Sequence, residues 1–414
     1  MSASSGTPRL RRFRARTAAL ITVLAVLVGA LAAVNVLQPP RLVAVDTRPV
    51  ALTEQDGARV VLRLSQAVAA VGAESVRSDP ALPVAVTSAG SELTLTLGAR
   101  LDYGSTLRIA VDVRSAATGA ASTVEAVVRA PDTRVVTLVR DARGDRLLST
   151  GVVADGAVAE LTPAPRIQEF AVLPDRVLVI AETGSGRAAL RVGQLAGGEA
   201  SDVITDGPIV LEQLRAEPAV LAAGVVASGT PLGAAHADRT LLLFDASGDF
   251  AAPVVVTGAD GASLRVDEWR FIPGTSAVVV RAMGGGLWLA DPLLGGAAEA
   301  LAPGAAEAAL LRDPAAGVVI GDAEVAPSAD GGTLVRTRDG AAEPIFTPAA
   351  PGSRIGAVCA APNGRVLAVE VIAAGAESDG RAVRPGWTRT TTVLLRADTG
   401  EQIRSVIGAS PSWC

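Results

Sequence analysis

Four carboxylates stand where this chain could do acid–base chemistry: Glu169, Asp267, Glu268 and Asp313. Each lies on or beside the first short apolar strand of a recurring segment, so converging strands would bring them to one rim. Two or three carboxylates meeting there is what glycoside hydrolysis needs, one to protonate the leaving oxygen and one to attack or to activate water. Carboxylates are also ordinary at strand ends, and a fold by itself implies no activity. The reading therefore takes them as strand-end residues and keeps catalysis as the alternative.

Other chemistries lack their parts. A nucleophilic triad needs a histidine to shuttle the proton, and the single histidine, His236, sits in a Gly/Ala-rich stretch without a recognisable partner. It reads as a solvent-facing loop residue. Two cysteines and one histidine do not supply the usual metal-ligand set. The runs Gly284-Gly285-Gly286 and Gly331-Gly332 are followed by no Gly-Lys-Ser/Thr and open no helix, so they are not phosphate loops. No cofactor is expected. Trp269, Trp288, Trp387 and Trp413 are either a ligand surface or core, and the first two read as core. Cys359 and Cys414 form an even pair, read as one structural disulfide in a translocated chain. Two unpaired thiols stay open, because spacing alone does not show the geometry.

Composition sets the outer bounds. Of 414 residues 49% are apolar, which excludes wholesale disorder, and this length suits two or three domains. Only 19% are charged and the net charge is −5, so no general affinity for nucleic-acid phosphates follows. All 37 basic residues are arginine. With the abundance of Ala, Gly and Val, that points to a very GC-rich genome of the actinobacterial kind.

The N-terminus carries a targeting pattern. Arg9, Arg11, Arg12, Arg14 and Arg16 belong to a basic tail, residues 1–17, ahead of an uncharged run at residues 18–37. That run is long enough to cross a hydrocarbon core of roughly 30 Å as a helix, and Pro39 and Pro40 end it. Basic residues stay cytoplasmic, so a single-pass anchor would leave the rest of the chain outside the cytoplasm. The other reading is a signal peptide cleaved after Ala30-Leu31-Ala32, with secretion of the remainder.

Residues 41–131 alternate apolar and polar side chains in short runs, at 59–65, 92–97, 106–113 and 124–129. Period two means one buried face and one wet face, as in a sandwich of antiparallel sheets. Asp56-Gly57, Ala89-Gly90 and Tyr103-Gly104 supply turns. The order from Val45 to Pro49, the strand ending Leu64-Ser65-Gln66-Ala67-Val68, then Glu74-Ser75-Val76 and residues 101–111, resembles bacterial Ig-like domains of the surface-layer type. Leu64 and Leu107 replace the usual aromatics. The resemblance implies a spacer or adhesive module without catalytic residues.

From residue 132 to 414 a unit recurs: an apolar strand, a turn built on Pro or Gly, then a second very apolar strand. Prolines 174, 218, 273, 314 and 362 mark five turns, and Gly144 marks one without proline. Spacings near forty to fifty residues suit four-stranded propeller blades. Third strands are read at residues 188–192, 240–245, 286–291, 333–337 and 392–396. The unit resembles the six-bladed propeller repeat of TolB-type proteins and WD40-like repeats, which implies six blades within a range of five to seven. Residues 410–414 read as the opening of a seventh unit cut short, which a Cys414–Cys359 bond would pin to the start of the last blade and so help to close the ring. The segment 373–387, inserted in the last unit, reads as a protruding loop suited to recognition.

The fold expected is therefore all-β: an Ig-like sandwich and a six-bladed propeller behind one transmembrane helix. The function expected is a noncatalytic, membrane-anchored binding or scaffold protein of the bacterial cell envelope, whose partner is another envelope protein or a surface polymer. The alternative is an extracytoplasmic propeller hydrolase acting on glycan or lactone substrates.

Overall fold

The computed structural model describes residues 8–153, 158–161, 164–184, 187–230, 237–250, 252–302, 304–381 and 385–414, without the side chains of residues 8–12, 14–15 and 30–37. His236 lies outside the described residues. The chain divides into two compact units, Met1–Pro131 and Asp132–Cys414.

Unit one begins with helix α1, Pro8–Leu37. Its described side chains at residues 16–29 are all exposed, including Leu20, Ile21, Leu24 and Leu27. Among the described residues no helix is long and apolar enough to cross a membrane; the side chains of residues 30–37, nearly half of the apolar run, are not among them. Strands β1 (Leu42–Thr47), β2 (Arg59–Leu64), β3 (Val76–Asp79), β4 (Val84–Ala89), β5 (Glu92–Leu97), β6 (Thr106–Arg114) and β7 (Ala121–Arg129) follow. They form two antiparallel sheets, one in the order β1-β2-β5-β4 and one in the order β3-β6-β7. Alternation puts Val60, Leu62 and Leu64 of β2, Leu93, Leu95 and Leu97 of β5, and Leu107, Ile109, Val111 and Val113 of β6 into one core. Tyr103, the only tyrosine, is buried at the turn into β6.

Among its described residues unit two forms six successive antiparallel meanders. They are β8 (Arg134–Asp141), β9 (Gly144–Gly151) and β10 (Ala159–Leu161); β11 (Ile167–Val172), β12 (Arg176–Gly184), β13 (Arg187–Gln194) and β14 (Ser201–Gly207); and β15 (Val210–Glu217), β16 (Ala222–Gly229), β17 (Ala237–Asp245) and β18 (Val254–Val255). Then come β19 (Val266–Phe271), β20 (Val278–Ala282), β21 (Leu287–Ala290) and β22 (Glu299–Leu301); β23 (Val318–Ile320), β24 (Ala323–Pro327), β25 (Leu334–Arg338) and β26 (Ala341–Phe346); and β27 (Arg354–Ala360), β28 (Val366–Ile372), β29 (Thr390–Arg396) and β30 (Gln402–Ile407). Neighbouring sheets pack face to face through apolar layers. One layer joins β12 and β13 to β15–β17, and the next joins β16 and β17 to β19–β21. This is a propeller-like fold of six blades.

The second strand of a blade is buried on both faces, which explains its unbroken apolar runs. Leu178 and Ile180 face one neighbour while Val177 and Val179 face the other. Prolines 174, 218, 273 and 362 each sit between the first and second strands of a blade, where a missing N–H costs no ladder bond. Blade five departs from this reading. Pro314 opens a 3₁₀ turn ahead of the first strand, and the first hairpin turns instead at Gly321, whose φ is +60°.

Blade one corrects two further expectations. The β8–β9 hairpin around Gly144 supplies the second and third strands, because the inner edge of β8 is covered by the end of the chain. Leu138 and Ala409 exchange both backbone hydrogen bonds at 2.9 Å, and Ser412 N donates to Val136 O. Residues 409–412 thus open no seventh unit; they are the innermost segment of the first blade and close the ring.

Candidate functional site

Two cavities flank that closing segment. The first, about 650 Å³, opens on the face that carries the turns between second and third strands, here called the upper face. Its wall includes Arg140, Arg354, Glu370, Asp379, Trp387 and Arg389. The second, about 480 Å³, is walled by the other ends of the first strands and by Trp413. Ser410 and Cys414 line both cavities, so the tail is the partition between them.

The tail is held at three places besides its pairing with β8. Cys414 is disulfide-bonded to Cys359, on the first strand of blade six, with Cα atoms 5.1 Å apart. Its carbonyl accepts from Nη1 of Arg270, on the first strand of blade four, at 2.6 Å. Glu370 accepts from Ser410 N at 2.8 Å. Neither Arg270 nor Glu370 was singled out from sequence, because neither belongs to a local motif.

The four sequence-predicted carboxylates come together. Glu169, Asp267, Glu268 and Asp313 line one shallow recess of about 440 Å³, with Glu212, Gln213, Arg215 and Arg270. Three of them hold parts of the scaffold. Glu169 is buried and accepts from Leu214 N at 2.7 Å, joining blade two to blade three. Glu268 pairs with Arg281 at 2.9 Å. Asp313 caps its own turn, accepting from Ala315 N at 2.9 Å. Asp267 is exposed, and its backbone carbonyl accepts from Gln213 Nε2 at 2.6 Å. Among the described residues no group of three or more His, Cys, Asp or Glu is arranged to hold a metal ion.

The insertion after β28 does not stand free as a protruding loop. Asp379 pairs with Arg140 of blade one, and Arg381 bonds to Asp145 at 2.6 Å and to Glu182 of blade two at 2.9 Å. Asp145 also accepts from Ile167 N at 2.7 Å, and Arg140 donates to the carbonyls of Ile167 and Gln168. Arg140, Asp145, Asp379 and Arg381 are all nearly buried. Burial alone would push the Asp379 carboxyl up, but the N–H groups of Gly386 and Arg381 and the Arg140 guanidinium outweigh it and hold it below the usual range. The insertion is a clasp from blade six across blade one to blade two.

What the clasp presents outward is Trp387. It is 38% exposed at the wall of the upper cavity, and the Arg354 guanidinium lies 4.1 Å from its ring centroid. Trp269, by contrast, is fully buried and donates to Gln213 O at 3.1 Å, while Trp288 packs at the margin of the same core.

No known family pattern matches the chain, and no curated protein does. Solved structures show likeness at low identity. A putative TolB from Agrobacterium tumefaciens is 11% identical over 69% of this chain and 85% of its own, with a TM-score of 0.26. The Cps50 (Swd1) β-propeller domain of Myceliophteria thermophila is 10% identical over 66% and 96%, with a TM-score of 0.30. A DUF4784 family protein from Bacteroides caccae is 10% identical over 86% and 93%, with a TM-score of 0.34. No activity is carried over from any of them.

Proposed function

We propose that this chain is a noncatalytic binding protein of a bacterial cell envelope, with the upper cavity of its propeller as the recognition site. The observation that carries this reading is the division of labour among polar groups. Glu169, Glu268 and Asp313 are engaged with backbone donors or arginine, whereas Trp387 and Arg354 face an open cavity large enough for a small ligand or a peptide side chain. An exposed aromatic stacked by arginine is a recognition element, since Trp and Arg dominate binding hot spots.

The remaining features give that head a place. The strand order β1-β2-β5-β4 and β3-β6-β7 is the ABED and CFG order of a constant-type immunoglobulin sandwich, and buried Tyr103 stands at the corner before the sixth strand. We read unit one accordingly as an Ig-like spacer. The uncharged run at residues 18–37 behind a basic tail supports a membrane anchor, and the disulfide supports an oxidising, extracytoplasmic setting. An arginine-only basic complement supports an actinobacterial source. The hydrolase reading rests on the recess shared by Glu169, Asp267, Glu268 and Asp313.

Crosslinking capture from intact native cells separates the two. Full-length protein should enrich one or a few envelope components over a residues 1–40 control, and W387A should lose them. Recovery of nothing beyond the control, together with glycan or lactone hydrolysis abolished by D267N, would replace the binding reading with the hydrolase.

A further inference from the structure

The tail that completes blade one is bound to the rest of the propeller by few groups, and one of them is a covalent bond that chemistry can open. Residues 409–412 contribute a single ladder pair with Leu138 and two contacts with Val136, one from Ser412 N and one to the Ser412 hydroxyl. Residues 408–414 form no strand of their own. The tail's other fixed points are the Ser410 N–H bond to Glu370, the Arg270 bond to the Cys414 carbonyl and the Cys359–Cys414 disulfide. Cys359 is buried in β27, whereas Cys414 lines both cavities and is only partly buried. Of the two cysteines, Cys414 is therefore the one that a reductant entering either cavity reaches first.

From this arrangement we infer that the disulfide is a latch on a removable closing strand. A small dithiol attacks the Cys414 sulfur as its thiolate, forming a mixed disulfide and expelling the Cys359 thiolate. The second thiol of the reagent then closes its own ring and expels the Cys414 thiolate. Two electrons and two protons pass from the dithiol to the protein, and the reagent leaves as its cyclic disulfide. The unlatched tail has lost its tether. Its departure exposes the inner edge of β8, frees the Arg270 guanidinium from the Cys414 carbonyl, and joins the cavities of about 650 and 480 Å³ into one passage. Reduction thus changes which face of the ring a ligand can reach.

The amides of Val136 and Leu138 report the latch directly, because they donate to Ser412 Oγ and to Ala409 O. Hydrogen exchange is measured on the full-length protein, oxidised and after dithiol treatment, with both thiols counted by alkylation. Exchange at the two amides should rise roughly 100- to 1,000-fold on reduction, and by more than at the amides of β12, which lose only the global stability that the cross-link supplies. C414S should reproduce the fast exchange without reductant; if that variant fails to fold, the reduced natural protein still decides. Unchanged protection at Val136 and Leu138 with both thiols free would overturn the inference. So would an equal or greater rise in β12, since the bond would then hold the whole ring and not a latch.

Discussion

The amide of Val136 donates to the hydroxyl of Ser412 at 3.1 Å, joining residues 276 positions apart in the chain. Through this contact and its neighbours the first blade borrows its innermost segment from the end of the sequence. A ring closed this way cannot open at the seam between first and last blades without breaking backbone pairing inside a blade. The seam is also where the disulfide lies, with a sequence separation of 55.

Removing the bond should be costly. A cross-link closing a loop of that length restricts the unfolded chain by about 4 kcal/mol in the chain-entropy account. C359S is expected to lower the unfolding free energy of the propeller by about 2–4 kcal/mol, read from urea titrations of oxidised wild type and variant. A loss below about 1 kcal/mol would mean that the noncovalent tail contacts alone secure the closure.

The clasp should be equally sensitive. Arg381 is nearly buried against Asp145, itself only 4% exposed at the side chain. Truncating one member of a buried pair leaves an uncompensated charge, typically at about 3–5 kcal/mol. R381A should be destabilised by that order, and D145N should recover part of it in the double variant. Additive losses in the double-mutant cycle would refute direct coupling.

Acid should loosen the same clasp. Asp379 is held below its unfolded pKa, near 3.9, so its ionised form is favoured by folding. That stability is fully present above about pH 4–5 and fades as pH falls through the depressed native value. Thermal melts of the wild type should therefore be flat from neutrality to about pH 5 and fall below it. In D379N that fall should be shallower.

Tight contact between blades three and four predicts a steric penalty. A Cβ on Gly224 would meet Leu243 Cδ2 at 2.5 Å and Trp269 at 2.6 Å. Trp269 is fully buried and edge-on to Phe271, so it has no room to yield. G224A should cost about 1–3 kcal/mol through overpacking, measured by denaturant midpoint at unchanged slope.

Much of this architecture is written in local patterns. Doubly buried second strands show as unbroken apolar runs at Val177–Ile180 and Leu367–Val369, and prolines 174, 218, 273 and 362 punctuate the hairpins. Glu169, Asp267 and Glu268 are legible at the rim for the same reason, since the first strands that carry them are local, whereas Asp313 reaches the recess from the 3₁₀ turn ahead of its blade. What stays hidden is non-local. The pairing of Ala409 with Leu138 leaves no trace in either segment, because Ser-Pro-Ser looks like a turn until its partner strand is known. The clasp was misread because Gly- and Arg-rich composition signals exposure, whereas Asp379 and Arg381 are buried by partners more than 190 residues away. In blade five, Pro314 has the right spacing and the wrong place, and a plain Gly321-Asp322 turn does its work.

The recognition site yields the last prediction. Trp387 is exposed enough that its loss should leave the fold intact, with stability changed by no more than about 1 kcal/mol. If the ring forms the centre of an interface, W387A should weaken the captured complex about 30-fold, the factor equivalent to a 2 kcal/mol hot spot. Arg354 stacks on the same ring, so R354A should give a smaller loss in the same direction, and the two should be less than additive. Carboxylate variants at the neighbouring recess, D267N and E268Q, should leave affinity within about two-fold, because rim charges contribute little to equilibrium binding. Titration of the purified complex by calorimetry checks all four. Loss of affinity in D267N with none in W387A would move the site from the upper cavity to the carboxylate recess, and with it the class of ligand to be sought.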